Sequence, residues 1–300
     1  MVSYMEKFRL FMKIEKNAAV LTVKFYEKDI LQFLRFLDSQ GLSCRGIGPG
    51  YPILRHYLAL LKDQHYSRNT IARKLAAIRA FLRFLKRESQ IQDSSWEMVS
   101  TPKLNKQLPS FLYPDEVIEL LEAPQKGSVL GARDKAILEV LYGSGIRVSE
   151  ATGLNLLDVD LNDGYLKVWG KGSKERIIPL GKYARQAVAV YLRIGRPVLE
   201  AKRRQEGQEK ALFLNRFGQR LSDRSIRRLL SKYGRQISSG AYVSPHVLRH
   251  SFASHMLNAG ADLRIVQDLL GHVSVSTTQI YTHISKEELK RVYLKNHPRA

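Results

Sequence analysis

Residues 244–283 read SPHVLRHSFASHMLNAGADLRIVQDLLGHVSVSTTQIYTH and contain four side chains suited to phosphate chemistry: His246, Arg249, His272 and Tyr281. The Ser244-Pro245 pair predicts the start of a helix, with serine as the N-cap and proline in the first helical position. His246 would then lie in the first turn, where free backbone N–H groups attract an anion, and Arg249 would lie on the same face. A phosphate bound there would meet an imidazole and a guanidinium together.

Two further basic side chains lie upstream, next to glycine-rich turns. Gly143-Ser144-Gly145 predicts a turn, so Arg147 begins the next helical segment, and Glu150 follows one turn later, where its carboxylate can orient a cation. Two arginine forks bind a phosphodiester in a planar, bidentate manner that lysine does not match. Lys171 lies at the tip of a predicted hairpin between two glycines, which allow close approach to a ligand. Taken alone, this last motif is more typical of an ordinary solvated turn.

Tyr281 is the nucleophile that fits this set, because a phenol can attack phosphorus and retain the bond energy as a phosphotyrosine ester. Other chemistries lack their motifs. No Walker A sequence suggests nucleotide hydrolysis. Zinc would need an HExxH pattern or a cysteine partner, and neither accompanies the three histidines of this segment that could be imagined as ligands: His246, His250 and His255. We therefore expect neither a metal nor a cofactor.

The chain is strongly basic: its 300 residues carry 49 Lys and Arg against 28 Asp and Glu, a net charge of +21. The first hundred residues carry 17 against 9 and the remainder 32 against 19, so both halves are basic. A clamp that grips a polyanion from two sides would spread its charge in this way. We expect nucleic acid as the partner, with a merely basic soluble protein as the alternative.

Cysteine usage and hydropathy exclude other classes of protein. The single cysteine, Cys44, allows neither a disulfide framework nor a cysteine-based zinc site within one chain. No apolar stretch has the length needed to cross a bilayer, and the N-terminal segment MVSYMEKFRLFMKIEKN is too charged for a signal peptide. We expect a cytoplasmic protein without membrane contact.

Apolar periodicity predicts a mainly α fold with two domains. Residues 1–100 show helical spacing throughout, residues 101–109 form a proline-containing linker, and residues 110–300 form a second, mostly helical domain. The β signal is a hairpin of Tyr165–Trp169 and Glu175–Leu180, which predicts a small antiparallel sheet. Basic residues on predicted helices and beside the hairpin are candidate DNA contacts: Arg68, Arg73, Lys74, Arg79, Arg83, Lys174, Arg224, Arg227 and Arg228.

Four motifs together resemble the tyrosine recombinases, the lambda-integrase-like family, and within it the Xer chromosome-dimer resolvases. They are SGIRVSE with Arg147 and Glu150, GKGSKERIIP with Lys171, HVLRHSFASH with His246 and Arg249, and LGHVSVSTTQIYTH with His272 and Tyr281. SRNTIARKLAAIRAFLRFL resembles the family's core-binding segment and HPRA its closing residues, so the resemblance spans nearly the whole chain. Ser144, where the family more often has threonine, and Ala151, where a larger apolar residue is usual, are small departures.

The resemblance implies a four-helix, SAM-like core-binding domain that forms a C-shaped DNA clamp with the catalytic domain. It also implies strand exchange without metal or ATP, through a 3′-phosphotyrosyl bond, a free 5′-hydroxyl and a Holliday junction. Tyr281 would attack the scissile phosphate, and His246 would help to deprotonate it. Lys171 would protonate the 5′ oxygen. The residues that would stabilise the phosphorane are Arg147, Arg249 and His272.

The resemblance also implies a tetramer on a double-stranded recombination site, with a second Xer-type recombinase and a DNA translocase of the divisome as partners, in the nucleoid-associated cytoplasm. The tail SKEELKRVYLKNHPRA resembles the helix that docks on a neighbouring protomer, although its apolar face fits packing in cis equally well. The sequence Phe111-Leu112-Tyr113 favours the XerC-like role over the XerD-like role of the paired recombinases. A mobile-element integrase is one alternative, against which the short chain counts. A non-catalytic architectural DNA-binding protein is another, against which the complete catalytic set counts.

Overall fold

The computed structural model describes residues 2–16, 18–44, 46, 48–103, 111–170, 175–203, 207, 209–271 and 286–300. Contacts between Cα atoms divide the chain into two compact units, Met1–Lys106 and Gln107–Ala300. Each unit has its own hydrophobic core. The predicted linker, residues 101–109, lies largely outside the described residues.

The described part of the first unit contains four α-helices. They are α1 Val2–Ile14, α2 Val20–Ser39, α3 Tyr51–Asp63 and α4 Arg68–Arg87, followed by a short 3₁₀ turn at Ser95–Met98. α4 begins where the Ser67 hydroxyl accepts a hydrogen bond from the backbone N–H of Thr70. Its apolar stripe, which includes Leu75, Ile78 and Leu82, is buried in the core that α4 shares with α2. The predicted all-helical character of this unit is confirmed.

The second unit is mostly helical. Its described helices are α5 Pro114–Glu122, α6 Val129–Ser144, α7 Val148–Gly153, α8 Lys182–Val190, α9 Arg196–Glu200, α10 Asp223–Gly234, α11 Pro245–Asn258, α12 Leu263–Leu270 and α13 Lys286–Asn296. A π-helical turn, Tyr191–Gly195, joins α8 to α9. α6 is the central helix, because every residue from Ala136 to Ser144 is buried and α5, α8 and α11 all pack against it. Within the described residues, no helix is both long enough and apolar enough to cross a membrane.

A small antiparallel sheet lies in the second unit. Its strands are β1 Val159–Asp160, β2 Tyr165–Trp169 and β3 Glu175–Pro179, in the order β1-β2-β3. In the β2–β3 pair, Leu166 lies opposite Ile178 and Val168 opposite Arg176. The predicted hairpin is confirmed. The short β1 was missed because two residues are too few to show an alternating pattern.

The C-terminal segment packs on its own chain. Tyr293 of α13 is fully buried, and its ring stacks on His297 with 4.9 Å between ring centroids. Burial lowers the pKa of His297 to about 3, so this imidazole is neutral. Arg299 then forms an ion pair with the buried Glu139 of α6 at 2.5 Å. Residues 286–300 therefore pack in cis, on the second unit of their own chain. Exchange of this tail between protomers stays a prediction.

Candidate active site

The turn between α6 and α7 positions Arg147. The C-cap residue of α6 is Gly145, whose φ of 59° lies in the left-handed region, and a Cβ there would lie 2.5 Å from the Phe252 ring. Arg147 is the N-cap residue of α7, and its backbone N–H donates to the Glu150 carboxylate at 2.7 Å. The Arg147 side chain donates to the same carboxylate at 3.0 Å. The structure thus brings together Arg147 and Glu150, as the spacing of the motif suggested.

Arg249 joins three helices. α11 begins where the Ser244 hydroxyl accepts from the backbone N–H of Val247 at 3.3 Å. One turn on, Arg249 donates from Nη1 to the Gly145 carbonyl oxygen at 2.7 Å and from Nη2 to the Leu270 carbonyl oxygen at 2.6 Å. These oxygens lie at the C-terminal ends of α6 and α12, where helix dipoles are negative and carbonyls lack partners within the helix. Since a guanidinium has five N–H donors, Arg249 can brace two helix ends and still bind an anion.

The end of α12 binds three arginines. The carbonyl oxygens of residues 269, 270 and 271 each accept a hydrogen bond from a different guanidinium. The donors, in that order, are Arg176 Nε at 3.3 Å, Arg249 Nη2 at 2.6 Å and Arg147 Nη2 at 3.4 Å. The C-cap residue of α12 is Gly271, with a φ of 65°, and His272 follows directly in the sequence. The described chain before His272 therefore ends at the arginines.

Glu150 is the counter-ion of this cluster. Its side chain is only 5% exposed, and Arg176 donates to it in a bidentate manner, from Nη1 to Oε1 at 2.9 Å and from Nη2 to Oε2 at 2.8 Å. Burial alone would raise the pKa of Glu150, but hydrogen bonds from Arg176 and Arg147 lower it below its ordinary value. The carboxylate is therefore ionised at neutral pH. We call Arg147, Glu150, Arg176 and Arg249 the arginine pocket.

The arginine pocket has an excess of positive charge. Burial, together with the nearby charge of Arg147, lowers the pKa of Arg249 to about 10. Arg249 stays charged at neutral pH, but it has lost part of the hydration that stabilises an exposed arginine. The Arg147 side chain is 42% exposed and forms the open side of the pocket. A phosphodiester that entered from this side would restore favourable interactions to both cations.

His246 is exposed and lies in the first turn of α11, three residues before Arg249 on the same helix. Three other predicted catalytic residues lie outside the described residues: Lys171, His272 and Tyr281. In the part of the chain that the structure describes, no three His, Cys, Asp or Glu side chains come together as a possible metal site.

Arg176 is a member of the pocket that sequence reasoning missed. Its partner Glu150 is 26 residues away and on a different element, so no local pattern connects the two. One signal was available: Arg176 belongs to the GKGSKERIIP motif, five positions after Lys171.

The basic residues predicted to contact DNA from the first unit differ in exposure. Lys74 is buried between α4 and α2, where its ammonium donates to Asp29 at 3.0 Å and to Gln32 at 2.5 Å. A phosphate contact would leave buried Asp29 without this partner, so the position of Lys74 argues against its predicted role. Arg73 also pairs with Asp29 but is exposed, and Arg79 is half-buried and donates to the carbonyl oxygen of Val99.

Other predicted DNA contacts lie at the surface of their units. The exposed ones are Arg68, Arg83, Arg224, Arg227 and Arg228. Lys174 lies outside the described residues. Exposed arginines on a helix can reach phosphates, so these five stay candidates.

Comparison with known proteins identifies the family. The phage integrase family model matches residues 110–288, and the model of the phage integrase N-terminal SAM-like domain matches residues 5–89. The chain belongs to the phage integrase family of tyrosine recombinases. "Tyrosine recombinase XerC" of Natranaerobius thermophilus is 50% identical over 290 residues, which cover 97% of this chain and 97% of that protein. The protein of the same name from Pelotomaculum thermopropionicum is 47% identical over 304 residues, with coverage of 100% and 99%.

A solved structure shares the fold. XerH site-specific recombinase bound to its difH substrate aligns with a TM-score of 0.65 at 20% identity, over 98% of this chain and 82% of that one. The family, the mainly helical fold with a SAM-like N-terminal domain, and the assignment as a tyrosine recombinase are thus confirmed predictions.

Proposed function

We propose that this protein is a Xer-type site-specific recombinase that cuts and rejoins DNA through a 3′-phosphotyrosyl intermediate. The observation that supports this most is the pair of Arg147 and Arg249. Both bind the end of α12, directly before His272 and ten residues before Tyr281. Two anchored cations at the helix end that precedes the nucleophile in the sequence fit the transfer of a phosphodiester to tyrosine.

The cleavage step exchanges one phosphodiester for another. The Tyr281 oxygen attacks phosphorus and forms a P–O bond while the bond to the 5′ oxygen breaks. The tyrosine proton passes to His246, and the Lys171 ammonium gives a proton to the departing 5′ oxygen. The products are a 3′-phosphotyrosyl ester and a 5′-hydroxyl. Attack by the 5′-hydroxyl of a partner strand reverses these steps and forms a Holliday junction.

Arg147 and Arg249 stabilise the charge that develops on the phosphorane oxygens, and His272 adds a further donor. Glu150 and the carbonyl oxygens at the ends of α6 and α12 hold Arg147 and Arg249 before DNA arrives. Because these donors are already oriented, little reorganisation is needed when the transition state forms. Preorganised donors of this kind each contribute about 10²- to 10³-fold to a rate.

The test is a covalent adduct. A DNA site selected from genomic fragments by binding to the protein, and nicked beside the scissile phosphate, is expected to trap the protein as a denaturant-resistant complex in EDTA without ATP. The nick lets the short 5′-hydroxyl fragment diffuse away, which prevents religation. Tyr281→Phe is expected to bind the same site and form no adduct. Absence of the adduct from the wild-type protein on a site that it binds and protects would sink the proposal.

Duplex binding is expected to weaken steeply with salt. Because a clamp of this charge releases many counterions, we expect a plot of log K against log[salt] with a slope of about −5 or steeper. Arg227→Ala, which removes one exposed candidate contact, should make that slope shallower by about one unit. Fluorescence anisotropy over a salt series measures both slopes. A flat profile would contradict binding dominated by phosphates.

The biological role that we propose is resolution of chromosome dimers. The name shared by the curated relatives, XerC, supports this role. On this proposal the protein acts in the cytoplasm at the nucleoid, in a tetramer with a second Xer-type recombinase and with a DNA translocase of the divisome. Residues 1–100 and 110–300 would grip the duplex as a clamp. Sequencing the genomic DNA that the protein nicks tests the role: one chromosomal site outside mobile elements supports it, and element ends would indicate an integrase.

A further inference from the structure

Arg176 occupies a position on the hairpin that the cleavage step has not used. It is the second residue of β3, paired with Val168 of β2, and lies five positions after Lys171. Its side chain is only 16% exposed. β3 begins at Glu175, one residue before Arg176, so Arg176 is close in the sequence to Lys171.

The Arg176 guanidinium connects the hairpin to two other segments. Nη1 and Nη2 bind the Glu150 carboxylate of α7, and Nε donates to the Leu269 carbonyl oxygen of α12. The guanidinium also lies against the backbone of Gly271, where a Cβ would come within 3.1 Å of it. One side chain thus links β3, the helix that begins at Arg147, and the helix end before His272.

Direct phosphate binding does not explain Arg176. All three of its nitrogens donate to protein acceptors, and the side chain is largely buried. By contrast, Arg147 is 42% exposed. Arg176 therefore acts through the groups that it holds.

We infer that Arg176 is a positioning residue for the general acid: it fixes the β2–β3 hairpin on the arginine pocket so that the Lys171 ammonium reaches the departing 5′ oxygen. The inference rests on the proposed function, in which Lys171 supplies that proton. Lys171 lies between two glycines in the sequence, and glycine restricts the backbone less than any other residue. An anchor on the adjoining strand confines the ammonium near the phosphate and raises its effective concentration there.

The test uses two nicked substrates that differ in one atom. In the second, sulfur replaces the 5′ oxygen that leaves, and a thiolate departs without a proton because thiols are far more acidic than alcohols. Arg176→Ala is expected to slow single-turnover cleavage of the oxygen substrate by about 10²-fold. Its cleavage rate on the sulfur substrate should stay within about fivefold of the wild-type rate. Lys171→Ala should show the same pattern of rescue.

Arg185→Ala is the matched control. Arg185 donates to the carbonyl oxygens of Leu161 at 2.9 Å and Asn162 at 2.9 Å. Like Arg176, it is an arginine that binds the chain near the sheet, but it lies outside the arginine pocket. The Arg185→Ala variant should cleave both substrates at the wild-type rate. If Arg176→Ala fails to fold by circular dichroism, Arg176→Lys keeps a cation beside Glu150 without the bidentate pair and should show a smaller loss with the same rescue by sulfur.

The outcomes separate the inference from the function on which it rests. Equal slowing of both substrates by the Arg176 variants would show that Arg176 supports the arginine pocket or the fold alone, and would overturn the inference. Unchanged cleavage of both would overturn it as well. If sulfur does not rescue Lys171→Ala, Lys171 is not the acid and the inference falls with it. If the wild-type protein cleaves neither substrate, the proposed function itself is refuted.

Discussion

Arg249→Lys is expected to slow formation of the tyrosyl–DNA adduct by about 10²- to 10³-fold, because a donor to the phosphorane is lost. Duplex affinity should fall by less than about tenfold, since one phosphate contact among many is altered. Arg249 donates to carbonyl oxygens at the ends of two helices, Gly145 and Leu270, and presents further N–H groups in the same plane. A lysine has a single nitrogen and cannot span both carbonyls while it binds a phosphate. Single-turnover cleavage at saturating protein measures the rate.

The same substitution should introduce a new pH dependence. Burial and the charge of Arg147 lower the pKa of Arg249 to about 10 and leave the arginine charged at neutral pH. A lysine at this position would experience the same effects from an ordinary pKa of about 10.4, so its pKa would move towards neutrality. The cleavage rate of Arg249→Lys relative to wild type should therefore fall as the pH rises from 7 to about 9, as the lysine loses its proton.

Arg196→Lys is the matched control for Arg249→Lys. Arg196 is a buried arginine of the second unit, and like Arg249 it donates to backbone carbonyl oxygens, here those of Ala211 and Glu209. The Arg196→Lys substitution should lower the free energy of unfolding without slowing cleavage at a temperature where the protein stays folded. Equal losses of rate and of duplex affinity in Arg249→Lys would mean that Arg249 only anchors DNA.

Local patterns predicted the parts of the site that depend on nearby residues. The start of α11 followed from Ser244-Pro245, since a serine N-cap and a proline at the first position act within one turn. The pairing of Arg147 with Glu150 followed from their spacing at the start of α7. The hairpin followed from alternation and its glycine-rich turn. In each case the interaction that decides the structure spans only a few residues.

Long-range contacts decided what the sequence did not predict. Arg176 joined the pocket through Glu150 and Leu269, which its own strand pattern does not specify. Lys74 lay on a helix face that appeared basic, yet Asp29 of α2 draws it into the interior. A buried lysine needs an acidic partner, and the partner is 45 residues away in the chain. Such pairs follow from how helices pack, which periodicity alone does not determine.

Glu150→Gln is expected to destabilise the second unit by about 3–5 kcal/mol, the usual cost of removing one partner from a buried ion pair. Arg147 and Arg176 would lose their shared counter-ion, and Arg249 would face both charges without compensation. The glutamine can still accept hydrogen bonds, so the loss reports charge more than shape. Chemical denaturation followed by circular dichroism measures the change in the free energy of unfolding, and single-turnover cleavage should be slower by about 10²-fold or more because Arg147 is no longer held in place.

The contribution of Glu150 to stability should depend on pH in one direction. Hydrogen bonds from Arg176 and Arg147 outweigh burial and hold its pKa below the unfolded value of about 4.3. A carboxyl whose pKa is lower in the folded state stabilises the fold fully above its unfolded pKa, and this contribution disappears as the pH falls through the folded pKa. The difference in unfolding free energy between wild type and Glu150→Gln should therefore be constant near neutrality and shrink in acid.

Glu139→Gln is the matched control, because Glu139 is a buried glutamate paired with Arg299 and Lys135. This variant should destabilise the unit without slowing cleavage. Wild-type stability and rate in Glu150→Gln would show that the three arginines keep their places without a counter-ion, and the charge of the pocket would then have to be balanced by the helix ends alone.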